Sequence, residues 1–344
     1  MNKLKYELTV LVVLAAAGTM YNNKEIAEGI KKGMALCSDS VIPSLFIFTI
    51  ICIFMVSAEL LKNNKIVDFI SLIIFGTKGE IGAITLLSLV SGYPVGGALI
   101  NELYLSRKIN RESAQKMLCY CINAGPAFVI GIIGNKLYNS HEIGTIILIS
   151  SLFSAIISSR ILNTKTSTLP STLVTNGEVD YIGTFIRAVN VSVKNMAAVC
   201  GWVLVSSAII EVISKAEFLE FIGCLLEVTT GTVTAAQNYS IYFVAFLVGF
   251  GGISVHLQAM SAAKDILPSY PKIFLWKTLQ GALTALFTYI LLKIFPQYLS
   301  VSNSIKAFNP TASEGNVFTA AVTIIFIMCT IIFANQKINK GRKL

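Results

Sequence analysis

The sequence predicts an all-α, polytopic integral membrane protein of about 8–10 helices, some broken or re-entrant, in two internally repeated halves. Three observations predict it. Hydrophobic residues make up 54% of the 344 residues and charged residues only 13%, too few charges to cover a soluble globule of this size. Several apolar windows approach the ~20 residues that a helix needs to cross a hydrocarbon core. Short motifs also recur in the same order in both parts of the chain.

Leu4 to Met20 is the first window. Lys3 and Lys5 before it and Ala15, Ala16 and Ala17 at its end have the look of a cleaved leader, but the rest of the chain is itself full of spans, so a retained helix is the simpler account. Further windows are Val41 to Leu61, Ile81 to Ile100, Ile143 to Ser159, Ile241 to Met260 and Val317 to Ala334. Met117 to Gly134, Met196 to Ile210 and Phe274 to Ile294 are shorter or carry one charge, and they belong with the spans because lysines near helix ends can extend to the headgroups. The expected order is an N-terminal transmembrane helix (1–22), a first repeat (23–162), a polar linker (163–180), a second repeat (181–296), and a C-terminal transmembrane helix with a basic tail (297–344).

The net charge of +9 is no nucleic-acid signal, because the basic residues cluster in short loops. Arg107, Lys108, Arg111 and Lys116 form one cluster, and Lys337, Lys340, Arg342 and Lys343 another. With Lys3 and Lys5 on the same side, the positive-inside rule predicts both termini in the cytoplasm. The seven cysteines lie mostly in apolar segments without a C-x-x-C pair and read as small buried hydrophobes.

Phe54-Met-Val-Ser-Ala-Glu-Leu-Leu61 is echoed by Val203-Leu-Val-Ser-Ser-Ala-Ile-Ile210, Phe75-Gly-Thr-Lys-Gly79 by Val228-Thr-Thr-Gly231, and Leu89-Val-Ser-Gly-Tyr-Pro-Val-Gly-Gly97 by Leu247-Val-Gly-Phe-Gly-Gly-Ile-Ser-Val255. The offset grows from 149 (54 to 203) through 152 (79 to 231) to 158 (89 to 247), as small insertions produce. In transporters such repeats, inverted repeats among them, place the solute site near the midplane, where interrupted apolar segments meet. Two segments qualify: one is interrupted by Ser91, Gly92, Tyr93, Pro94, Gly96 and Gly97, the other by Gly249, Gly251, Gly252 and Ser254. Proline and glycine free backbone groups that hydrocarbon cannot satisfy, so each break should line a polar cavity or pack against another break. A restarted helix also turns partly positive amides toward the break, which suits an anionic or carbonyl-bearing solute. The competing account of the glycines is tight helix packing.

Pro43-Ser-Leu-Phe46, the Ser91 to Gly97 block, Asn123-Ala-Gly-Pro126 with Phe128 and Gly131, Glu227-Val-Thr-Thr-Gly231 and Gly249-Phe-Gly-Gly-Ile-Ser-Val-His256 together resemble the Gate, or nucleoside-recognition, domain family. Within it the chain looks most like the YlbJ-type sporulation integral membrane proteins, also called the stage V sporulation protein V type, over roughly Ile26 to Ile294. It departs from the pattern at Ala124-Gly125, where an Asn-Ser or Ala-Ser pair is expected. The resemblance implies a protein of the mother-cell-derived membrane around the forespore that helps dipicolinic acid pass towards the spore.

A flat dianion such as dipicolinate calls for helix N-termini, amide or hydroxyl donors and one cation. Ser91, Tyr93 and the amides around Gly96 and Gly97 are candidates for one side, Tyr93 being alternatively an interfacial anchor. Asn123, beside Gly125, is a cavity residue or an interhelical hydrogen bond. Ser254 and Gln258 share a helical face, which sends His256 elsewhere as a structural donor or a solute contact. Glu227 is costly at membrane depth unless paired or functional. Lys194, Arg187 or His256 could pair with it, Thr229 and Thr230 could bond the freed backbone, and the alternative is a site for a coupling proton or sodium ion.

The sequence has no phosphate loop, no His-Glu-x-x-His helix and no nucleophile elbow, and it has only two histidines, so neither an enzyme, a cofactor nor a histidine-rich metal site is expected. The expected partners are a small anionic solute, the lipid bilayer and, as options, a second copy or other sporulation membrane proteins. Two other readings stay open: a nucleoside or other small-solute carrier, and a scaffold for spore assembly that transports nothing.

Overall fold

The computed structural model describes residues 18–60, 64–77, 79–162, 180–214 and 219–298. The first window up to residue 17, the linker over 163–179, the C-terminal helix and the basic tail lie outside the described residues, and with them two of the three basic groups on which the orientation rests. Among the described residues there are thirteen α-helices, two π-helical stretches and no strand. Breaks divide the windows at 81–100, 117–134 and 241–260 into two helical pieces each, and four shorter helices, at 23–36, 65–75, 220–226 and 228–238, lie outside the windows.

Helix α1 (Asn23–Leu36) runs through a π-helical turn (Cys37–Val41) into α2 (Ile42–Ser57). Then come α3 (Lys65–Phe75), α4 (Gly79–Ser91), α5 (Tyr93–Leu105), α6 (Arg111–Cys121), a π-helix (Ala127–Leu137) and α7 (His141–Leu162). The remainder is α8 (Tyr181–Ile213), α9 (Glu220–Leu226), α10 (Val228–Asn238), α11 (Ile241–Phe250), α12 (Ile253–Ala262) and α13 (Tyr270–Ile294).

Helix starts follow their capping residues. Asn64 accepts the Ile66 and Val67 N–H groups at α3, Asn110 that of Ser113 at α6, and Asp180 that of Gly183 at α8. Four stretches are long and apolar enough to cross a membrane: His141–Leu162, Tyr181–Ile213, Ile241–Ala262 and Tyr270–Ile294, with a fifth if the bent pair α3 and α4 counts as one span. The 33 residues of α8 extend for roughly 50 Å at 1.5 Å per residue, beyond a ~30 Å hydrocarbon core, so α8 tilts or projects past it.

The faces are sorted as lipid requires. On α13, Leu275, Leu279, Leu286, Ile290 and Ile294 are exposed, whereas Lys277, Gln280, Thr284 and Thr288 are buried. The inner stripe packs on α7 and α11, with the Ser154 and Thr284 hydroxyls 2.9 Å apart. Helices α1 and α8 cross at Gly29 and Gly33, where an added Cβ would strike Ser207 and Ala208 or crowd Leu204. This is small-residue packing, suited to a solvent in which apolar burial does not drive helices together. The span α11–α12 is the most enclosed, with 72% of its window buried.

Candidate functional site

Four helix breaks lie in the interior, each with a local cause. Gly92 (φ 86, ψ 168) separates α4 from α5, and Pro94 sits in the first turn of α5, where its missing N–H costs nothing. Residues 122–125 are irregular between α6 and the π-helix, with Asn123 Nδ2 donating 2.6 Å back to the Tyr120 carbonyl. Glu227 (φ −136, ψ 124) separates α9 from α10 and accepts the Thr230 N–H at 2.7 Å. Gly251 and Gly252 separate α11 from α12, and Gly252 (φ 80, ψ 152) has nearly the backbone of Gly92. That region is all but closed to residues with a Cβ.

The breaks pack on each other in pairs. A Cβ on Gly125 would lie 3.4 Å from the Gly92 Cα and N, and one on Gly252 would lie 3.0 Å from Val228 N. Tyr93 joins the pairs. Its hydroxyl donates 2.9 Å to the Val248 carbonyl in the last turns of α11, its ring edge is 3.1 Å from a Cβ placed on Gly251, and its ring meets Phe128 edge-on at 6.5 Å. Tyr93 is buried, so it is no interfacial anchor.

Within this junction the candidate residues divide. Ser91 is buried, and its hydroxyl has no partner among the described residues. The N-termini of α5 and α12 carry no side-chain cap. Gly96, Gly97 and Gly249 belong instead to helix crossings: a Cβ on Gly96 would strike the Cys121 carbonyl, on Gly97 that of Ala259 at 2.6 Å, and on Gly249 the Thr284 hydroxyl and the Gln280 carbonyl. At these three, another helix already occupies the space that their missing side chains leave. Asn123 bonds back to its own helix and makes no interhelical bond among the described residues.

Ser254 accepts Gln258 Nε2 at 3.0 Å along their shared face. His256 is fully buried, with Nε2 2.7 Å from the Phe250 carbonyl. A carbonyl only accepts, so Nε2 carries a proton, and Nδ1 has no partner among the described residues. The Phe250, Phe274 and Tyr270 rings surround it.

The ion-pair account of Glu227 fails. This residue forms no ion pair among the described residues: Lys194 is exposed on α8, Arg187 pairs with Glu102 at 2.8 Å, and His256 is held by Phe250. The carboxylate instead caps α10, where the helix dipole favours negative charge. Thr230 serves it through its backbone N–H, and Thr229 gives its carbonyl to the Thr232 hydroxyl.

Lys277 was expected to extend toward the headgroups, but it is fully buried. Its Nζ donates 2.6 Å to the Ile122 carbonyl, at the end of α6, and 2.6 Å to Gln280 Oε1. It faces inward because it lies on the polar stripe with Gln280, Thr284 and Thr288, spaced at i, i+3, i+7 and i+11. That period in the sequence was the available signal. Among the described residues no three His, Cys, Asp or Glu side chains gather to hold a metal ion.

No protein-family model matches the chain, and no solved structure matches it. Among curated proteins it is similar to the sporulation integral membrane protein YlbJ of Bacillus subtilis (strain 168), at 20% identity over 385 aligned residues that cover 92% of each chain. The enclosed helix breaks and the membrane-length helices thus belong to an integral membrane protein that is distantly related to a sporulation integral membrane protein.

Proposed function

We propose that this chain is a sporulation membrane transporter that passes a small anionic solute, dipicolinate first among the candidates, across the membrane around the forespore. The observation that carries the reading is the meeting of four helix breaks around Tyr93. Lipid tolerates irregular backbone only where protein or a polar cavity satisfies it, and a pure scaffold has no need of such a junction at its centre.

The matching backbones of Gly92 and Gly252 support two related halves of the Gate kind. The uncapped N-termini of α5 and α12 and the unpartnered Ser91 hydroxyl offer donors to an anion. The distant relative supplies the sporulation setting, and the resemblance supplies dipicolinate. With no ATP-binding motif in the chain, transport is facilitated or gradient-driven unless another subunit supplies energy.

The test is the dipicolinate content of spores and mother cells from a strain lacking this chain, with and without its re-expression. Spores poor in dipicolinate beside replete mother cells, restored by re-expression, support the reading. Normal content in both compartments overturns dipicolinate as the solute.

A further inference from the structure

The Lys277 ammonium is 0% exposed, within the membrane-length helix α13, and forms no ion pair among the described residues. A lone buried charge is expensive and persists where partners or a function hold it. In its charged form, which an anionic ligand beside it favours, this group has three protons and accepts nothing. Two of the protons go to the Ile122 carbonyl and to Gln280 Oε1.

The orientation of the Gln280 amide follows from this. Because Lys277 can only donate, the oxygen of Gln280 must face it, and the amide nitrogen must turn away. That nitrogen is buried and has no acceptor among the described residues. One turn of α13 therefore holds two adjacent groups with N–H bonds to spare, one of them cationic, enclosed by protein. Two neighbouring donors suit a ligand with two acceptor oxygens on one carbon, and a charge-assisted pair of this kind is among the stronger hydrogen-bonding arrangements.

We propose that Lys277 and Gln280 form a carboxylate-binding element, in which the spare Lys277 proton and the Gln280 Nε2–H bond the two oxygens of one carboxylate. Its place beside the break at 122–125 makes it the cation of the solute site, a statement that rests on the transport reading. The binding itself does not.

The full chain, purified in detergent, is titrated calorimetrically with pyridine-2,6-dicarboxylate, pyridine-2-carboxylate, the neutral pyridine-2,6-dicarboxamide and chloride, with melting recorded in parallel. Both carboxylates are expected to bind, with the dicarboxamide and chloride at least tenfold weaker. Lys277→Met is expected to weaken both carboxylates at least tenfold without lowering the melting temperature. Gln280→Glu, which builds a carboxylate into the element, is expected to raise the melting temperature and abolish binding. The proposal is overturned if neither carboxylate binds the unaltered chain, or if chloride or the dicarboxamide binds as well as they do. It is equally overturned if Lys277→Met binds both carboxylates unchanged, which makes the lysine a clamp on Ile122 only. Carboxylate binding that needs Lys277, beside normal spore dipicolinate, sinks dipicolinate transport and leaves this element standing. Spore dipicolinate that needs the chain but tolerates Lys277→Met does the reverse.

Discussion

The two junctions of helix breaks use nearly one backbone and opposite charges. In the first, Gly92 packs on Gly125, and the Lys277 cation from α13 reaches the carbonyl end of α6. In the second, Gly252 packs beside Val228, and the Glu227 carboxylate covers the amide end of α10. Each charge meets the helix end of opposite sign, which lowers the cost of placing it in a dry interior. They differ in what remains. Glu227 meets a donor three residues away on its own helix, whereas Lys277 draws on a distant segment and keeps a proton over. Capping explains the one charge, and it leaves part of the other unexplained.

The largest expected effect comes from Gly252→Ala. Positive φ with extended ψ costs a residue with a Cβ about 1–3 kcal/mol, and the added carbon would also crowd Val228 N at 3.0 Å, so a loss of about 3 kcal/mol is expected. Gly92→Ala has nearly the same backbone, but its nearest obstacle is the Leu45 side chain at 3.2 Å, which can move, and about 2 kcal/mol is expected. Unfolding titrations in mixed micelles measure both. Equal losses erase the packing difference between the junctions.

Glu227→Ala removes the cap of α10, with an expected loss of about 1–2 kcal/mol, most of it recovered in Glu227→Gln, which keeps an acceptor. The same pair read by solute flux sharpens the contrast: flux should survive Glu227→Gln if the carboxylate only caps. Collapse of flux with stability intact would return the coupling-ion role to Glu227. Tyr93→Phe removes the hydroxyl that ties α5 to the Val248 carbonyl and leaves the ring packed, an expected loss of about 1 kcal/mol.

The sequence announces these junctions through residues whose effect is local. Gly92, Pro94, Gly251 and Gly252 dictate backbone geometry wherever they stand, so the positions of two breaks were legible without a structure. Their pairing was legible only as a requirement, because lipid leaves freed backbone no other partner. Side-chain roles were less so. Gly96 and Gly249 look like cavity glycines until the facing helix is placed, and Glu227 looks like half of an ion pair until the start of α10 is fixed at Val228. Lys277 was missed because distance from a helix end does not say which way a side chain faces. The inward stripe through Gln280, Thr284 and Thr288 does say so.

The smallest expected effect on stability belongs to the residue with the largest expected effect on binding. Lys277→Met leaves the Ile122 carbonyl without this donor, at a cost of about 1–3 kcal/mol. The same change withdraws a charge that has no ion-pair partner among the described residues and replaces it with an apolar chain of similar length. Exchanges of buried ionic groups for apolar ones of similar volume are often neutral, or stabilising by about 1–4 kcal/mol. The two contributions oppose each other, and a net change within about 1 kcal/mol of zero is expected, read in the same micellar titrations. A loss of about 3 kcal/mol would make the ammonium a structural clamp and reduce the first junction to the logic of the second. A stable protein that no longer holds carboxylates separates them.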